Sequence, residues 1–212
     1  MEKVSIPLGC DCGGCDGPAE AWQSVARVLL HMGIVTLELE YDFVSEHPKA
    51  KDIHAYLWMN SKAKMCYSDM TQRREGAGQV VWSRERLPDS CALVNLPPKG
   101  RLLNYHNSFT CQDVSRRNIN RPGMTFDVDD EDCLGDETQS TQTYFAGIQT
   151  IKQADPRTYT LENVGGCPVH QLVAHTDAEL PDMKSVTFVL DAVDFGSRTS
   201  RVRMHIYIYI II

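Results

Sequence analysis

Apolar residues along the first third of the chain recur with two periods in turn. Strand-like runs cover residues 4–8, 35–44 and 64–67, and helical periodicity covers residues 19–32 and about 48–60. Pro18 lies where the first helix would begin and Gly33 follows its end, which is the usual placement of these residues at helix termini. The strand–helix–strand–helix–strand order predicts a parallel sheet with helices on its faces.

The rest of the chain is less regular, and polar stretches separate its apolar runs. We expect strands at residues 91–96, 158–161, 186–192 and 204–212, and a helix at residues 138–153. Residues 71–86 are polar and predict a loop or an insertion. Residues 116–137 are rich in Arg, Asn, Asp, Gly and Pro, which predicts a long mobile loop of the kind that is often functional.

Composition and charge narrow the class of protein. The 212 residues are 42% hydrophobic and 23% charged, which is ordinary for a globular protein, and we expect residues 1–212 to form a single domain. A formal net charge of -7 argues against a protein that coats nucleic acid through its overall charge. A local basic cleft is still compatible with this charge, because a few Lys or Arg side chains near phosphates suffice for binding.

The cysteines and the two ends of the sequence bear on its compartment. The chain has eight cysteines, and its first residues contain no apolar stretch of signal-peptide length. We therefore expect free thiols in a reducing, intracellular compartment, which is the nucleus in a eukaryote and otherwise the cytoplasm. The apolar residues 205–212 are too few to span a bilayer as a helix, so they predict a buried strand and no role at a membrane.

A glycine-rich segment follows the first predicted strand. Gly13, Gly14 and Gly17 would let the backbone approach a bound ligand closely, at the N-terminus of the helix that follows. The same glycines also fit a tight strand-to-helix turn with no ligand.

Acidic residues follow the second and third predicted strands. Glu46 is placed to accept hydrogen bonds from the ribose hydroxyls of a nucleotide-like cofactor, and the neighbouring His47 to stack on an adenine. Asp69 is placed to bind the exocyclic amine of that adenine. In isolation, a solvated Glu–His pair and a helix N-cap also explain these residues.

Three segments of the second half carry candidate catalytic groups. Cys111 lies in a polar stretch at the entrance of a loop, which suits a nucleophile as well as an inert small side chain. Glu162 comes after a short apolar strand, where its carboxylate could project into a cleft. Arg201 and Arg203 alternate with Val202, so both could point the same way, although a solvated basic turn has the same pattern.

Taken in order, these segments resemble the C5-cytosine methyltransferase family over nearly the whole chain. Glu162-Asn163-Val164 matches the family's Glu-Asn-Val motif as it stands. Residues 192–196 with Arg201 and Arg203 resemble the segment that carries the family's paired arginines.

The first half and the centre of the chain extend this resemblance. Thr110-Cys111-Gln112 with the later Ser115 resembles the family's Pro-Cys-Gln nucleophile loop. Residues 12–17 loosely resemble its glycine-rich cofactor loop, and Glu46 and Asp69 fall where the family has its ribose-binding and adenine-binding acids.

The resemblance implies an α/β, Rossmann-like fold that binds S-adenosyl-L-methionine and transfers its methyl group to C5 of cytosine in DNA. It implies that the thiolate of Cys111 adds to C6, while Glu162 acts as a carboxylic acid near N3 of the base. Arg201 or Arg203 would keep the thiol ionised and hold the base or a phosphate. The target base must leave the duplex to reach such a site.

The resemblance also implies contacts with the substrate. Gln112, Ser115 and Asn163 belong to the motifs beside the nucleophile and the acid, and are assigned to the substrate. Arg116 and Arg117 open the predicted mobile loop, where they could meet phosphates. An RNA substrate stays open, because relatives of the same fold modify tRNA.

The nucleophile loop departs from the family in one respect. Thr110 stands where the family has proline, and a second alignment places Leu96-Pro97-Pro98-Lys99 on the motif instead. That alignment would put Lys99 in place of the nucleophile and imply an inactive enzyme. We favour Cys111, because it keeps the Cys-Gln pair and leaves a more family-like interval to Glu162.

Two alternatives to an active enzyme stay open. The family continues with a target-recognition region and a returning helix, which we expect this chain to lack, so it could be an inactive or fragmentary relative that binds cofactor, DNA or a partner chain supplying that region. A small metal-binding module is the other alternative, although we predict no metal because the cysteine run lacks a second well-spaced pair. Its ligands would be Cys10, Cys12 and Cys15 with His170 or His175.

Overall fold

The computed structural model describes residues 2–12, 17–46, 51–73, 76–84, 93–111, 114–115, 124, 138–198 and 200–210. Within these ranges, the strands are β1 (Lys3–Asp11), β2 (Thr36–Ser45), β3 (Met65–Tyr67), β4 (Ala77–Ser83), β5 (Leu93–Asn95), β6 (Asn104–Asn107), β7 (Thr158–Val164), β8 (Met183–Asp191) and β9 (Val202–Ile210). The helices are α1 (Gly17–His31), α2 (Lys51–Asn60), α3 (Gln139–Ala154) and α4 (Val169–Glu179), with short 3-10 helices at Met70–Gln72 and Ala192–Phe195. No helix in this described part of the chain is long and apolar enough to cross a membrane.

The described strands form one mixed sheet in the order β5-β4-β3-β2-β1-β6-β7-β9-β8. Its centre, β3-β2-β1-β6-β7, is parallel throughout. The β4–β5 pair extends one side with antiparallel pairing, and β9 and β8 extend the other side in the same manner. The predicted α/β, Rossmann-like arrangement is therefore confirmed, with antiparallel strands added at both margins.

Two apolar cores lie on opposite faces of this sheet. Successive residues of β2 alternate between them, because Phe43 packs on one face and Val44 on the other. Helices α1 and α2 cover the face of Val44 through Ala19 and Leu57. Helices α3 and α4 cover the face of Phe43, as predicted for a sheet with helices on both faces. That second core contains the buried side chains of Tyr105, Tyr144, Ile148, Tyr159 and Leu172.

The prediction of a loop or an insertion at residues 71–86 is wrong. Residues Ala77–Ser83 form β4, which pairs antiparallel with β3. Gly76 takes a positive φ of 78° just before this strand, and a side chain at Gly78 would lie 2.6 Å from the buried side chain of Arg73. The glycines that look like loop residues are therefore needed for the turn and for packing.

Besides β4, the sequence also does not predict β6 and α4. In β6, the buried side-chain amides of Asn104 and Asn107 donate hydrogen bonds to Thr158 Oγ1 (3.0 Å) and to the Thr143 carbonyl (3.2 Å). Asparagines give this central strand the composition of a turn. Because β6 is parallel to β1 and β7 and lies between them, its carboxyl end opens at the same edge of the sheet.

Candidate active site

Cys111 follows the carboxyl end of β6, at the edge where the parallel strands end. Two hydrogen bonds fix the backbone around it: Thr110 N donates to Thr143 Oγ1 of α3 at 2.9 Å, and Ser115 N donates to the Cys111 carbonyl at 2.8 Å. The Cys111 side chain is partly buried and packs against the core beneath α3. The residue is thus held firmly while part of its surface stays accessible.

Asn163 connects the Glu-Asn-Val segment of β7 to the loop of Cys111. Its side chain is buried, and its Nδ2 donates a hydrogen bond to the Phe109 carbonyl at 2.7 Å. Its Oδ1 accepts from Val164 N, also at 2.7 Å. Asn163 therefore acts as a scaffold between two motif segments, and its predicted contact with the substrate stays a prediction.

Glu162 forms an ion pair with one of the two candidate arginines. Arg203 Nε lies 2.8 Å from Glu162 Oε1, and 26% and 19% of the respective side chains are exposed. The pair forms because β9 runs antiparallel to β7, with Val164 opposite Arg203 and Glu162 opposite His205. Arg201 precedes β9 and is exposed, and its backbone N donates to Asp191 Oδ1 at 2.7 Å. The structure thus brings Arg203, but not Arg201, to the carboxylate.

Two histidines that sequence reasoning missed lie on the face of the sheet that carries Glu162. His106 of β6 is paired with Thr160 of β7, and its Nε2 lies 2.8 Å from Ser108 Oγ. Burial, with a smaller contribution from the neighbouring His205, lowers the pKa of His106 to about 4. Burial also lowers the pKa of His205, against the opposing effect of the Glu162 charge. Both rings are therefore neutral at pH 7, and the signal that could have found them is the alternation of polar residues along β6 and β9.

Cys167 is a second thiol in the same neighbourhood. Burial raises its pKa to about 12, and the charges of Cys111 and Glu162 contribute to the same rise. A thiol with such a pKa is protonated at neutral pH and is a poor nucleophile. Cys167 therefore packs as an apolar side chain beside Cys111 and does not compete with it.

The carboxyl ends of β1, β2 and β3 bring the candidate cofactor residues to neighbouring positions. Glu46 follows β2 and Asp69 follows β3, and both side chains are buried. Asp69 caps the 3-10 helix Met70–Gln72, since its Oδ1 accepts from Thr71 N (2.9 Å) and Thr71 Oγ1 (2.7 Å). Cys12 takes a positive φ of 52° and its N donates to the Ser45 carbonyl at 2.7 Å. Asp69 therefore caps the turn, and the same carboxylate is the candidate ligand for the cofactor.

Several predicted site residues lie outside the described residues. They are Gly13, Gly14, His47, Gln112, Arg116 and Arg117. Most of the predicted mobile loop at residues 116–137 also lies outside them. Gly17 is described as the first residue of α1, and a side chain there would meet nothing within 4 Å.

The rival nucleophile Lys99 has a different position. It precedes β6, its side chain is 68% exposed, and its Nζ lies 4.0 Å from Asp155 Oδ2 at the surface. Because Cys111 follows β6 and Lys99 precedes it, the two residues belong to opposite ends of this strand.

Cys10 and His175, two candidate ligands of the metal-binding alternative, lie in different cores. Cys10 packs in the core beneath α1 and α2, whereas His175 contacts Tyr144 of the opposite core, with 3.0 Å between Nδ1 and the hydroxyl. Cys15 lies outside the described residues. Within those residues, no group of three or more His, Cys, Asp or Glu side chains is arranged to hold a metal ion.

The structure is similar to solved structures of methyltransferases. It matches the S. pombe Dnmt2 methyltransferase with a TM-score of 0.55 and 10% identity, over 98% of this chain and 50% of that chain. It matches a DNMT2 mutant of Spodoptera frugiperda with a TM-score of 0.54 and 15% identity, over 99% and 50% of the two chains. A protein described as a DNA modification methyltransferase encoded within a prophage (E. coli) matches with a TM-score of 0.55 and 12% identity, over 97% and 47%.

These likenesses show the fold. The chain has the Rossmann-like methyltransferase fold of Dnmt2-type enzymes, which is the fold that the sequence motifs predicted. It spans about half the length of these structures. No protein-family model matches the chain, and no curated protein matches its sequence.

Proposed function

We propose that this chain carries the catalytic and cofactor-binding part of a C5-cytosine methyltransferase, which transfers a methyl group from S-adenosyl-L-methionine to C5 of cytosine in DNA through a covalent adduct with Cys111. One observation carries the proposal: Asn163, next to Glu162, holds the carbonyl of Phe109, two residues before Cys111. A nucleophile and an acid that act on the same base must be held in a fixed relation to each other. The fold supports the same reaction class.

Cys111 is the nucleophile in this proposal. Its thiolate adds to C6 of cytosine, which makes C5 nucleophilic. S-adenosylmethionine, when bound, supplies an electrophilic methyl group to that carbon. Loss of the C5 proton and of the thiolate then restores the aromatic ring and releases Cys111.

Glu162 makes the addition of Cys111 possible. C6 of cytosine is a poor electrophile until N3 is protonated or strongly hydrogen-bonded, and a carboxylic acid beside N3 supplies that proton and takes it back when the thiolate leaves. Arg203, 2.8 Å from Glu162, orients the carboxyl group. We assign Arg201 to a contact with the thiolate, the base or a phosphate.

The residues at the ends of β2 and β3 fit S-adenosylmethionine. Its ribose hydroxyls and its adenine amine are hydrogen-bond donors, and Glu46 and Asp69 are buried acceptors that follow adjacent strands. Both hydrogen bonds from Thr71 go to Oδ1 of Asp69. Because each oxygen of a carboxylate can accept hydrogen bonds, Asp69 can also accept one from the adenine amine through Oδ2. Gly17 has open space around it, and we assign Gly13, Gly14 and His47 to the same pocket.

The substrate is proposed to be DNA with the target base flipped out of the duplex. Arg116 and Arg117 are proposed phosphate contacts, and Gln112 and Ser115 are proposed to lie against the flipped base. Because the chain spans about half the length of the structures that it resembles, we propose that a partner chain or a further region supplies target recognition. The methyl-transfer assay described below also detects an RNA substrate.

A second candidate is a catalytically inactive methyltransferase-like protein that binds cofactor, DNA or a partner. The observation that favours it is the use of Thr110 where the family has proline. The backbone N of Thr110 donates to Thr143 Oγ1, and a proline has no N–H to make this bond. The loop of Cys111 is therefore fixed by a contact that the family's sequence does not allow.

Transfer of a tritiated methyl group separates the two candidates. The full chain is incubated with labelled S-adenosylmethionine and either unmethylated duplex DNA or tRNA, and the modified base is identified by chromatography. We expect labelled 5-methylcytosine in DNA, loss of the label with Cys111→Ser, and retention with Cys91→Ser, which changes a thiol outside the described residues. Label in tRNA alone would correct the substrate. Folded protein that binds the cofactor by calorimetry, loses this binding with Glu46→Ala and transfers no label would favour the inactive relative.

A further inference from the structure

We propose that the buried ion pair between Asp11 and Arg73 is a positioning device that holds the three segments of the proposed cofactor pocket in register. This inference rests on the proposed function, because the pocket it serves is the one assigned to S-adenosylmethionine. The sequence does not indicate either residue as a site residue, because its pattern predicts a turn around Asp11 and a loop around Arg73.

Asp11 accepts hydrogen bonds from two strands of the sheet and from the residue that follows the 3-10 helix Met70–Gln72. It is the last residue of β1, and its side chain is fully buried. Its carboxylate accepts from the Ser45 hydroxyl of β2, from both terminal nitrogens of Arg73, and from the Tyr105 hydroxyl of β6 at 2.5 Å. Burial and the Asp11 charge raise the pKa of Tyr105, so its hydroxyl remains a donor.

Arg73 extends the network to α3 and closes it against solvent. Its Nη2 donates to Thr150 Oγ1 at 2.8 Å, and its guanidinium carbon lies 5.5 Å from the ring centroids of both Phe43 and Tyr67. Only 1% of its side chain is exposed, and Gly78 leaves the space that its stem occupies. A side chain enclosed in this way cannot touch a ligand, so it acts through Asp11 as a positioning residue.

Each segment of the proposed pocket begins or ends beside this network. Asp11 directly precedes Cys12 and the glycine loop, and Ser45 directly precedes Glu46. Asp69 stands a few residues before Arg73, at the start of the 3-10 helix Met70–Gln72. A shift of the ion pair would therefore move Cys12, Glu46 and Asp69 relative to one another.

A buried ion pair is an expensive way to stabilise a fold. Desolvation offsets much of its attraction, and well-packed neutral residues often stabilise as well or better. What the charged pair adds is a defined geometry, because a bidentate arginine fixes both distance and angle. The proposal predicts that a neutral pair preserves folding and loses cofactor affinity.

The test compares three variants of the full chain. Asp11→Asn/Arg73→Gln makes the pair neutral, Arg73→Lys keeps the charge without the two-point geometry, and Lys152→Gln/Glu179→Gln removes an ion pair of α3 and α4 that lies at the surface. Folding is followed by circular dichroism and affinity for S-adenosylmethionine by calorimetry. Hydrogen exchange is measured at the backbone amides of Cys12 and Thr71, without cofactor.

We expect the neutral pair to fold, to weaken the cofactor Kd at least tenfold, and to speed exchange at both amides together. Arg73→Lys should show smaller changes of the same kind, and the surface pair should show none. A folded neutral variant with wild-type affinity or wild-type exchange would overturn the proposal, and so would unfolding of both Arg73 variants, which would make the pair merely structural. Folded wild-type protein that binds no cofactor would contradict the proposed function, while the exchange data would still decide the role of the pair.

Discussion

Asn163 Nδ2 lies 2.7 Å from the carbonyl oxygen of Phe109, which joins β7 to the loop of Cys111. Asn163→Asp removes this donor and leaves a buried carboxyl against a carbonyl. Loss of a buried hydrogen bond with an unsatisfied partner costs about 1–3 kcal/mol. We expect a loss of that size in the free energy of unfolding, measured in urea, and slower reaction of Cys111.

Asn60 provides the matched control for this substitution. Its side-chain amide also donates to a backbone carbonyl, that of Tyr56 at 2.9 Å, but the bond is exposed on α2. Asn60→Asp should change the free energy of unfolding by less than about 0.5 kcal/mol, since exposed sites away from special features tolerate substitution. Equal effects of the two substitutions would argue against a scaffolding role for Asn163.

Glu162→Gln should separate catalysis from stability. The variant keeps the shape of the side chain but cannot deliver a proton to N3, and general acid catalysis contributes about 10²–10⁴-fold to a rate. We expect methyl transfer to fall by about that factor. Because Glu162 and Arg203 are partly exposed, the free energy of unfolding should change by less than about 1 kcal/mol. The control Glu38→Gln removes a surface partner of Lys3 and should change neither the rate of methyl transfer nor the free energy of unfolding. Equal activity of Glu162→Gln and Glu38→Gln would exclude the acid role of Glu162.

The free energy of unfolding should decrease as the pH is lowered, because of His106. Burial lowers its pKa from 6.5 to about 4, so between these values the unfolded chain binds a proton that the folded protein does not. The contribution is complete above about pH 6.5 and is lost as the pH falls towards 4, at up to about 1.4 kcal/mol per pH unit. His106→Gln keeps a partner for Ser108 Oγ and removes the titration. Urea unfolding at pH 7 and pH 5 should differ less in this variant than in the wild type; an equal pH dependence would refute the assignment.

Gly147 on α3 packs directly against Asn107 of β6. A Cβ at this position would lie 1.9 Å from Asn107 Nδ2 and 2.9 Å from its Cγ, so Gly147→Ala must displace a fully buried side chain. Overpacking of this kind costs about 1–3 kcal/mol, more than the helix propensity of alanine returns. Gly17→Ala, where a side chain meets nothing within 4 Å, should not destabilise the protein. Thermal unfolding of the two variants checks this, and a stabilised Gly147→Ala would contradict the packing.

The sequence predicts the parts of the fold in which periodicity and composition agree. The alternation and β-branched content of β2 and β9 predict strands, and Glu162-Asn163-Val164 predicts a motif segment. The sequence fails at β6 because the polar side chains of Asn104 and Asn107 are hydrogen-bonded to β7 and α3, and the periodicity of the sequence does not reveal partners that are distant along the chain.

The same limit applies to the site. Asp11 and Arg73 have the sequence context of a turn and a loop, and only the fold brings them together from 62 residues apart. Arg201 and Arg203 look equivalent in sequence, yet the strand register directs only Arg203 to Glu162. Long-range pairing and register decide these contacts, and neither is encoded in local pattern.

The reaction of Cys111 with a trapped cytosine tests the central claim most directly. A duplex that carries 5-fluorocytosine cannot lose a proton from C5, so an adduct formed in the presence of S-adenosylmethionine persists through denaturing electrophoresis. We predict an adduct that peptide mass spectrometry assigns to Cys111, that Cys91→Ser still forms and that Cys111→Ser does not. Absence of the adduct with folded, cofactor-bound protein, or its survival in Cys111→Ser, would contradict the account.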